Sequence, residues 1–168
     1  MEKVMTNKEK KVTNRIVPSS IREVFSKATC LHNRFDIECA IERMATEISY
    51  EVAHKSPIFL CVVIGGIVPM GNLLPHLDFP LQVDYIHMTR YKGGLTGHEI
   101  THKAEPSCSL EDEVVVIVDD ILDGGLTLKA AKNYCLQKGA KQVYTAVLVD
   151  KVRPSREEGG VEQADFVG

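Results

Sequence analysis

The chain has 168 residues, a formal net charge of −3 and 44% hydrophobic residues, which indicates one soluble globular domain long enough to bury a core. The acidic balance gives no support for bulk binding of nucleic acid. Five scattered cysteines without a Cys-x-x-Cys pair argue against a disulfide framework or a zinc knuckle. Reduced thiols in the cytoplasm are the simplest interpretation. No apolar run approaches membrane-spanning length, and the lysine-rich amino terminus lacks the apolar core of a secretory signal.

The sequence of residues 1–52 predicts a polar amino-terminal segment followed by two helices. Residues 1–17 are polar, and we expect a mobile segment there. Ser20 and Glu23 have capping-box spacing, which predicts a helix from there to about Asn33. Asp36 can cap a second helix. That helix carries an apolar stripe at helical spacing, formed by Ile37, Ile41, Met44, Ile48 and Val52.

The middle of the chain predicts two strands and a long polar stretch. Residues 58–64 form an unbroken apolar run that is closed by two glycines, which is typical of a buried strand. A short helix over residues 68–77 and a second strand over residues 81–88 follow. Residues 90–112 are polar and rich in glycine, and loops of that length in a compact domain are usually functional or mobile.

The last third alternates strand and helix. Residues 114–118 are β-branched without alternation, which suits a strand buried on both faces of a parallel sheet. A helix is predicted over residues 126–138, ending at Gly139, and a further strand over residues 142–149, before a charged loop through Gly160. The alternation predicts one α/β domain over residues 1–168, with a mainly parallel sheet flanked by helices on both sides.

Three acids and a glycine loop follow the strand at residues 114–118. Asp119, Asp120 and Asp123 lie at its carboxyl end, where open α/β sheets bind ligands, and residues 124–127 lead into the next helix. The free amides at a helix amino terminus favour a phosphate, whereas the acids repel it unless a cation or ligand hydroxyls intervene. The segment therefore predicts a site for a sugar phosphate and a divalent metal. The alternative is a charged turn with no ligand.

This segment resembles the phosphoribosyl-pyrophosphate motif of type I phosphoribosyltransferases. Within that family the chain is most similar to hypoxanthine-guanine phosphoribosyltransferases. The resemblance covers roughly Phe35 to the end and implies the type I fold with a small terminal hood. Besides the acid motif, four segments of the chain carry the resemblance. Val62-Val63-Ile64-Gly65-Gly66 resembles the family's first loop, and Asp84-Tyr85-Ile86-His87-Met88-Thr89-Arg90-Tyr91 resembles the strand that enters its lid. Val147-Leu148-Val149-Asp150-Lys151 resembles the strand with the base-reading lysine, and Ala164-Asp165-Phe166-Val167-Gly168 resembles the purine-stacking segment.

The resemblance implies roles for the acid motif. Asp119 and Asp120 hold the ribose hydroxyls, directly or through the shell of a Mg²⁺ ion, and one of them can serve mainly to orient the loop. In a strand, their side chains point to opposite faces. Asp123 is the proton acceptor for the purine, with a helix cap as the alternative role. The 5-phosphate is held by the loop that runs Gly124, Gly125, Leu126 and Thr127, with Leu126 contributing only its amide. Gly124 replaces the more usual Thr or Ser.

The resemblance also implies the residues that surround the purine and pyrophosphate. Lys151 donates to the 6-oxo group, because lysine offers donors and no acceptor. Phe166 stacks on the purine, with a core phenylalanine as the alternative, and the Val167 backbone meets the ring's far polar edge. Ile64 replaces a basic residue, so the amides of Gly65 and Gly66 are left to bind pyrophosphate. Arg90 and Tyr91 belong to the lid, where Tyr91 can exclude water from the reaction centre.

The implied function is purine salvage. The chain is expected to transfer 5-phosphoribosyl from phosphoribosyl pyrophosphate to hypoxanthine or guanine, giving IMP or GMP and pyrophosphate, with Mg²⁺ as cofactor. We expect a homodimer or homotetramer that binds neither nucleic acid nor membrane. A xanthine-preferring enzyme and a non-catalytic nucleotide-sensing regulator on the same fold are the alternatives. The resemblance implies a carboxyl-terminal tail beyond the Phe-Val-Gly segment, so we expect either that the given sequence is truncated there or that the tail is absent.

Overall fold

The structure, a computed structural model, describes residues 18–90, 100–153, 157 and 159–168. The chain divides into two units, Met1–Asn33 and Arg34–Gly168. The predicted mobile segment over residues 1–17 lies outside the described residues.

The first unit contains helix α1 (Ser19–Lys27). Pro18 is its N-cap and no side chain caps it, so the predicted capping box of Ser20 and Glu23 is wrong. The helix ends at Lys27, because Ala28 is extended, and does not reach Asn33. None of its residues is buried, so no burial supports a longer helix.

The second unit begins with helix α2 (Arg34–Val52). It starts two residues before Asp36, which lies in the first turn and is not the cap, although an acid there still favours the helix dipole. The predicted apolar stripe is confirmed. Its buried members are Ile41, Met44, Ala45, Ile48 and Val52, and Ile37 packs against the same cluster.

One six-stranded sheet organises the second unit. The strands are β1 (Ile58–Val63), β2 (Gln82–Arg90), β3 (Ile100–Ala104), β4 (Val114–Leu122), β5 (Gln142–Asp150) and β6 (Phe166–Val167). Their order is β3-β2-β1-β4-β5-β6, and only the β2–β3 pair is antiparallel. Helix α3 (Ile67–Leu73) follows β1, and helix α4 (Leu126–Gln137) follows β4. The predicted mainly parallel α/β sheet is confirmed.

The sheet is covered by apolar side chains on both faces, which explains the strands without alternation. Val115 and Ile117 of β4 belong to the cluster that includes α4 residues, whereas Val116 and Val118 belong to the cluster that includes α2 residues. All four side chains are fully buried. Because β4 also pairs with β1 on one side and β5 on the other, it is the central strand of the unit.

In the second unit, most predicted boundaries lie within two residues of the observed ones, and the larger differences concern β4, β3 and the helix after β1. Strand β4 continues through the acids to Leu122, four residues beyond its predicted end, because β5 pairs with it as far as Asp150. Strand β3 lies within the predicted polar stretch, where its Thr-His-Lys sequence gave no strand pattern and β2 supplies the partner. Helix α3 begins at Ile67 and passes into a 3₁₀ turn at Pro75, which lacks an amide donor.

Asp84 of β2 anchors the chain that follows β3. Its Oδ2 accepts hydrogen bonds from the Ser107 amide (2.7 Å), the Ser107 hydroxyl (2.8 Å) and the Cys108 amide (3.0 Å). Burial opposes ionisation of Asp84, but these bonds and the Tyr85 amide outweigh it and lower its pKa to about 2. This carboxylate therefore fixes the return of the chain towards β4.

Two expectations from composition can be compared with the structure. All five cysteines are free thiols, so the expected absence of a disulfide framework is confirmed. Across the described ranges, none of the helices combines the length and the apolar character that crossing a bilayer requires.

Candidate active site

The two adjacent acids at the end of β4 have different environments. Asp119 is buried, and Asp120 is exposed, as expected for neighbours on opposite faces of a strand. Asp119 Oδ1 accepts a hydrogen bond from the Asp120 amide at 2.9 Å. Burial raises the pKa of Asp119 to about 7, and the charge of Asp120 adds to the rise. Asp119 thus contributes to the local backbone structure, and Asp120 presents its carboxylate to the outside.

Asp120 also connects the acid motif to the loop after β1. A Cβ atom on Gly65 would lie 2.6 Å from Oδ2 of Asp120, so glycine is the residue that leaves room for the carboxylate. A Cβ on Gly66 would lie 2.5 Å from the Val118 carbonyl oxygen, a backbone atom that cannot swing away. The two glycines therefore allow the loop and the acids to approach each other closely.

The loop after β1 offers fewer amides than predicted. The Gly66 amide donates to the Val62 carbonyl at 2.8 Å, so it is bonded within the loop, and its contact with pyrophosphate stays a prediction. Gly66 instead serves as the N-cap of α3. Ile64 is 73% exposed and supplies no polar side chain. Of the three predicted pyrophosphate residues, Gly65 remains the candidate donor.

The glycine loop after β4 forms the amino terminus of α4. Gly125 is the N-cap, with φ of 80° in the left-handed region, and no side chain caps the helix. The alternative role of Asp123 as helix cap is therefore wrong. A cavity of about 230 Å³ opens here. It is lined by Asp119, Asp120, Ile121, Leu122, Asp123, Gly124, Gly125, Thr127 and Leu128, which include all the predicted acids and most of the predicted phosphate loop.

Glu157 explains why residue 124 is glycine. The Glu157 amide donates to the Gly124 carbonyl at 3.2 Å, and a Cβ on Gly124 would collide with the Glu157 carboxylate. The space that a Thr or Ser side chain would need at position 124 is filled by this acid. Sequence reasoning missed Glu157, and the glycine at position 124 was the one available signal.

Asp123 makes two ion pairs with the segment that follows β5. Its Oδ1 lies 3.2 Å from Lys151 Nζ and 2.5 Å from Arg153 Nη2. Burial opposes ionisation of Asp123, but the hydrogen bond from Lys151 and the charge of Arg153 outweigh it and lower the pKa of the carboxyl. The structure thus brings together the predicted base reader and the predicted proton acceptor. Arg153 was missed, because nothing in a charged loop distinguishes one cation from its neighbours.

Phe166 does not reach this site. Its ring is buried in the cluster that contains α2 residues, 5.7 Å from the Tyr144 ring, and its backbone pairs with Ala146 in the middle of β5. The predicted stacking on a purine is therefore replaced by the alternative, a core phenylalanine. Val167 pairs with Val147 and packs against the opposite cluster, so its backbone extends the sheet.

The lid falls largely outside the described residues. Arg90 is the last residue of β2. Tyr91 lies in the stretch 91–99, which the structure does not describe, and its predicted role stays a prediction.

Asp119 and Asp120 can be considered as ligands for a metal ion. Among the residues that the structure describes, no group of three or more His, Cys, Asp or Glu side chains could hold an ion. Mg²⁺ is commonly held by one or two carboxylates together with substrate phosphates. Asp119 and Asp120 fit that arrangement, in which most ligands come from the substrate, and do not fit an all-protein cage.

Comparisons with known proteins show the family to which the chain belongs. A model of the phosphoribosyl transferase domain matches residues 29–160. The chain belongs to the phosphoribosyltransferase family, and both the predicted resemblance and the predicted fold class are confirmed.

Proteins similar to this chain carry the names of hypoxanthine phosphoribosyltransferases. A hypoxanthine-guanine-xanthine phosphoribosyltransferase of Tritrichomonas foetus is 31% identical over 121 residues, covering 72% of this chain and 66% of the relative. A hypoxanthine-guanine phosphoribosyltransferase of Streptococcus agalactiae is 28% identical, covering 72% of this chain and 68% of the relative. A solved hypoxanthine phosphoribosyltransferase of Staphylococcus aureus has the same fold, with a TM-score of 0.75 and 23% identity over 83% of this chain and 75% of that one. The chain spans about two thirds of the length of the two sequence relatives.

The buried Asp119 predicts a pH-dependent stability. Its folded pKa is raised to about 7, above the ordinary value near ~3.9, so the folded state binds the proton more tightly and loses stability as pH rises between these values. Asp119→Asn keeps an oxygen that can accept from the Asp120 amide and removes the charge. In metal-free buffer, we expect the variant to melt at least ~3 °C above the wild type at pH 8 and close to it at pH 4.

The control for that experiment is Asp78→Asn, which removes an exposed acid far from the site. A lower melting temperature for Asp119→Asn at pH 8 would contradict the assignment of a costly buried charge.

The contact between Gly124 and Glu157 predicts a rescue. Gly124→Ser should destabilise the protein by up to ~1 kcal/mol, because the new side chain displaces the flexible Glu157 carboxylate from its place. Adding Glu157→Ala should recover most of the loss in denaturant titrations. Gly125→Ala is the matched control, since its Cβ would meet the Val161 backbone at positive φ, and Glu157→Ala should not rescue it. Equal rescue of both glycine variants, or of neither, would refute the steric pairing.

Proposed function

We propose that this chain transfers a 5-phosphoribosyl group from phosphoribosyl pyrophosphate to hypoxanthine or guanine, releasing pyrophosphate and forming IMP or GMP. The observation that carries the proposal is the Lys151–Asp123 pair beside the phosphate loop. A donor and an acceptor lie 3.2 Å apart at the carboxyl ends of two adjacent parallel strands. The names of the relatives point to the same class of reaction.

The pair matches one edge of a 6-oxopurine. The oxo group and the neighbouring ring nitrogen N7 lie side by side on that edge. Lys151 Nζ carries three donors and can satisfy the oxo group, while Asp123 can accept the proton that N7 loses when the new bond forms at the other ring nitrogen. The 6-amino group of adenine would instead place a donor against Lys151, which favours 6-oxopurines.

The phosphate loop and the acids of β4 suit the other substrate. The uncapped amino terminus of α4 offers amides and its positive dipole end to the 5-phosphate, and Thr127 adds a hydroxyl at the cavity wall. The exposed carboxylate of Asp120 lies beside Gly65, where it can accept hydrogen bonds from ribose hydroxyls. The ribose would then lie between the loop and the purine edge.

Mg²⁺ is part of the proposal as a cofactor bound with the substrate. When bound, the ion neutralises the oxygens of the departing pyrophosphate. Asp119 and Asp120 are the carboxylates that would hold it, directly or through ribose hydroxyls. The exposed carboxylate of Asp120 puts negative charge near the ribose, where positive charge develops as pyrophosphate leaves.

Assembly and location also belong to the proposal. We place the protein in the cytoplasm, which its free thiols support. A homodimer or homotetramer remains our expectation for the assembled enzyme.

A turnover assay tests the function. The chain is incubated with phosphoribosyl pyrophosphate, Mg²⁺ and one of four bases: hypoxanthine, guanine, xanthine or adenine. We expect IMP and GMP, no AMP, and loss of product when a chelator is added in excess. Lys151→Gln adds an acceptor at the base reader and should lower kcat/KM for hypoxanthine by ~10-fold or more, with phosphoribosyl-pyrophosphate binding nearly intact.

Lys141→Gln is the matched control, because this exposed lysine lies just before β5 at the opposite end of the strand. Its kinetics should equal those of the wild type. Absence of any nucleotide product, or equal use of adenine and hypoxanthine, would overturn the proposal, and a dominant XMP product would favour the xanthine alternative.

A further inference from the structure

Backbone hydrogen bonds hold Lys151 and Glu157, which lie on either side of Arg153 in the chain, against the residues next to Asp123. The Lys151 amide donates to the Leu122 carbonyl at 3.1 Å, and the Glu157 amide donates to the Gly124 carbonyl at 3.2 Å. Asp123 lies between the two acceptors, and Arg153 lies between the two donors. The ion pair between these side chains is thus bracketed on both sides by main-chain contacts.

Arg153 and Lys151 approach the same oxygen of Asp123 with different exposure. The Lys151 side chain is 53% exposed and the Arg153 side chain 34% exposed. Arg153 is the more enclosed cation, and its guanidinium lies closer to Oδ1, at 2.5 Å against 3.2 Å. A planar guanidinium with five fixed donors also holds a carboxylate in a defined orientation better than a flexible ammonium does.

Lys151 and Arg153 therefore have different roles beside Asp123. In the proposed reaction Lys151 must direct a proton towards the oxo group of the purine, which weakens its hold on Asp123. The proposed reaction requires no contact between Arg153 and the purine. Other titratable groups of the same part of the site are Asp119 and Asp120 on β4 and Glu157 on the bracketing segment.

We propose that Arg153 is a positioning residue, which holds the Asp123 carboxylate ionised and oriented for the purine proton while Lys151 turns to the base. This inference rests on the proposed function. It assigns a role to a cation that no sequence motif indicates. Arg153 acts through Asp123 and does not itself touch the reacting atoms.

Two variants separate the charge of Arg153 from its shape. Arg153→Gln removes the charge, so the acid limb of the pH profile of kcat should move to higher pH, and kcat near neutrality should fall ~10-fold or more as the carboxylate loses its orientation. Arg153→Lys keeps the charge and loses the planar fork. It should leave the acid limb in place and still lower kcat. In both variants KM for phosphoribosyl pyrophosphate should change little.

The control is Arg34→Gln, the same chemical change at an exposed ion pair with Glu38 on α2. Its kinetics should match the wild type. A second readout does not depend on turnover: the Asp123 carboxyl is titrated by carbon-13 NMR and assigned by its loss in Asp123→Asn. Its pKa should rise in Arg153→Gln and stay unchanged in Arg34→Gln.

The outcomes are distinct. An unmoved acid limb and an unmoved Asp123 titration in Arg153→Gln would refute the positioning role. A raised KM for phosphoribosyl pyrophosphate with an unmoved limb would also refute it and assign Arg153 to the pyrophosphate. If the wild type forms no nucleotide from any base, the proposed function fails, and the positioning role fails with it. In that case a shifted Asp123 titration in Arg153→Gln would show only that Arg153 and Asp123 form an ion pair.

Discussion

The parallel register of β1, β4 and β5 is the constraint on which the site depends. Cys61 of β1 pairs with Val118 of β4, and Leu122 of β4 pairs with Asp150 of β5. All three strands end at the same edge of the sheet, so the residues that follow them meet there although they are far apart in the chain. Largely apolar strand interiors hold this register, because both faces of β4 are buried.

Close packing at that edge then decides which residues can occupy it. Glycines at positions 65 and 66 admit the Asp120 carboxylate and the β4 backbone, and Gly125 lies against the Val161 backbone. Among the residues that the structure describes at this edge, the acids Asp119, Asp120, Asp123 and Glu157 outnumber the cations Lys151 and Arg153, which both pair with Asp123. The carboxylates repel the phosphates of a substrate unless a cation neutralises part of this charge. This repulsion is the physical reason to expect that metal and substrate bind together.

The sequence predicted the parts of the site that share one contiguous motif. The acids, the glycine loop and Lys151 could be placed because a buried strand delivers each of them to the ligand edge. The hydrogen bonding of the loop after β1 and the contacts between distant segments could not be predicted. The Gly66 amide is taken by the Val62 carbonyl, Phe166 is drawn into the core beside Tyr144, and Arg153 reaches Asp123 only because backbone hydrogen bonds align two segments. Strand β3 was missed for the same reason, since its pairing partner, and not its own composition, makes it a strand.

The most direct test of the account is a crystal structure of this chain with IMP. We expect the 5-phosphate on the amides of residues 124–127, the ribose beside Asp120, and the purine oxo group within ~3 Å of Lys151 Nζ. N7 of the purine should face Asp123. A nucleotide bound elsewhere, or bound at this edge with the oxo group turned away from Lys151, would contradict the central claim.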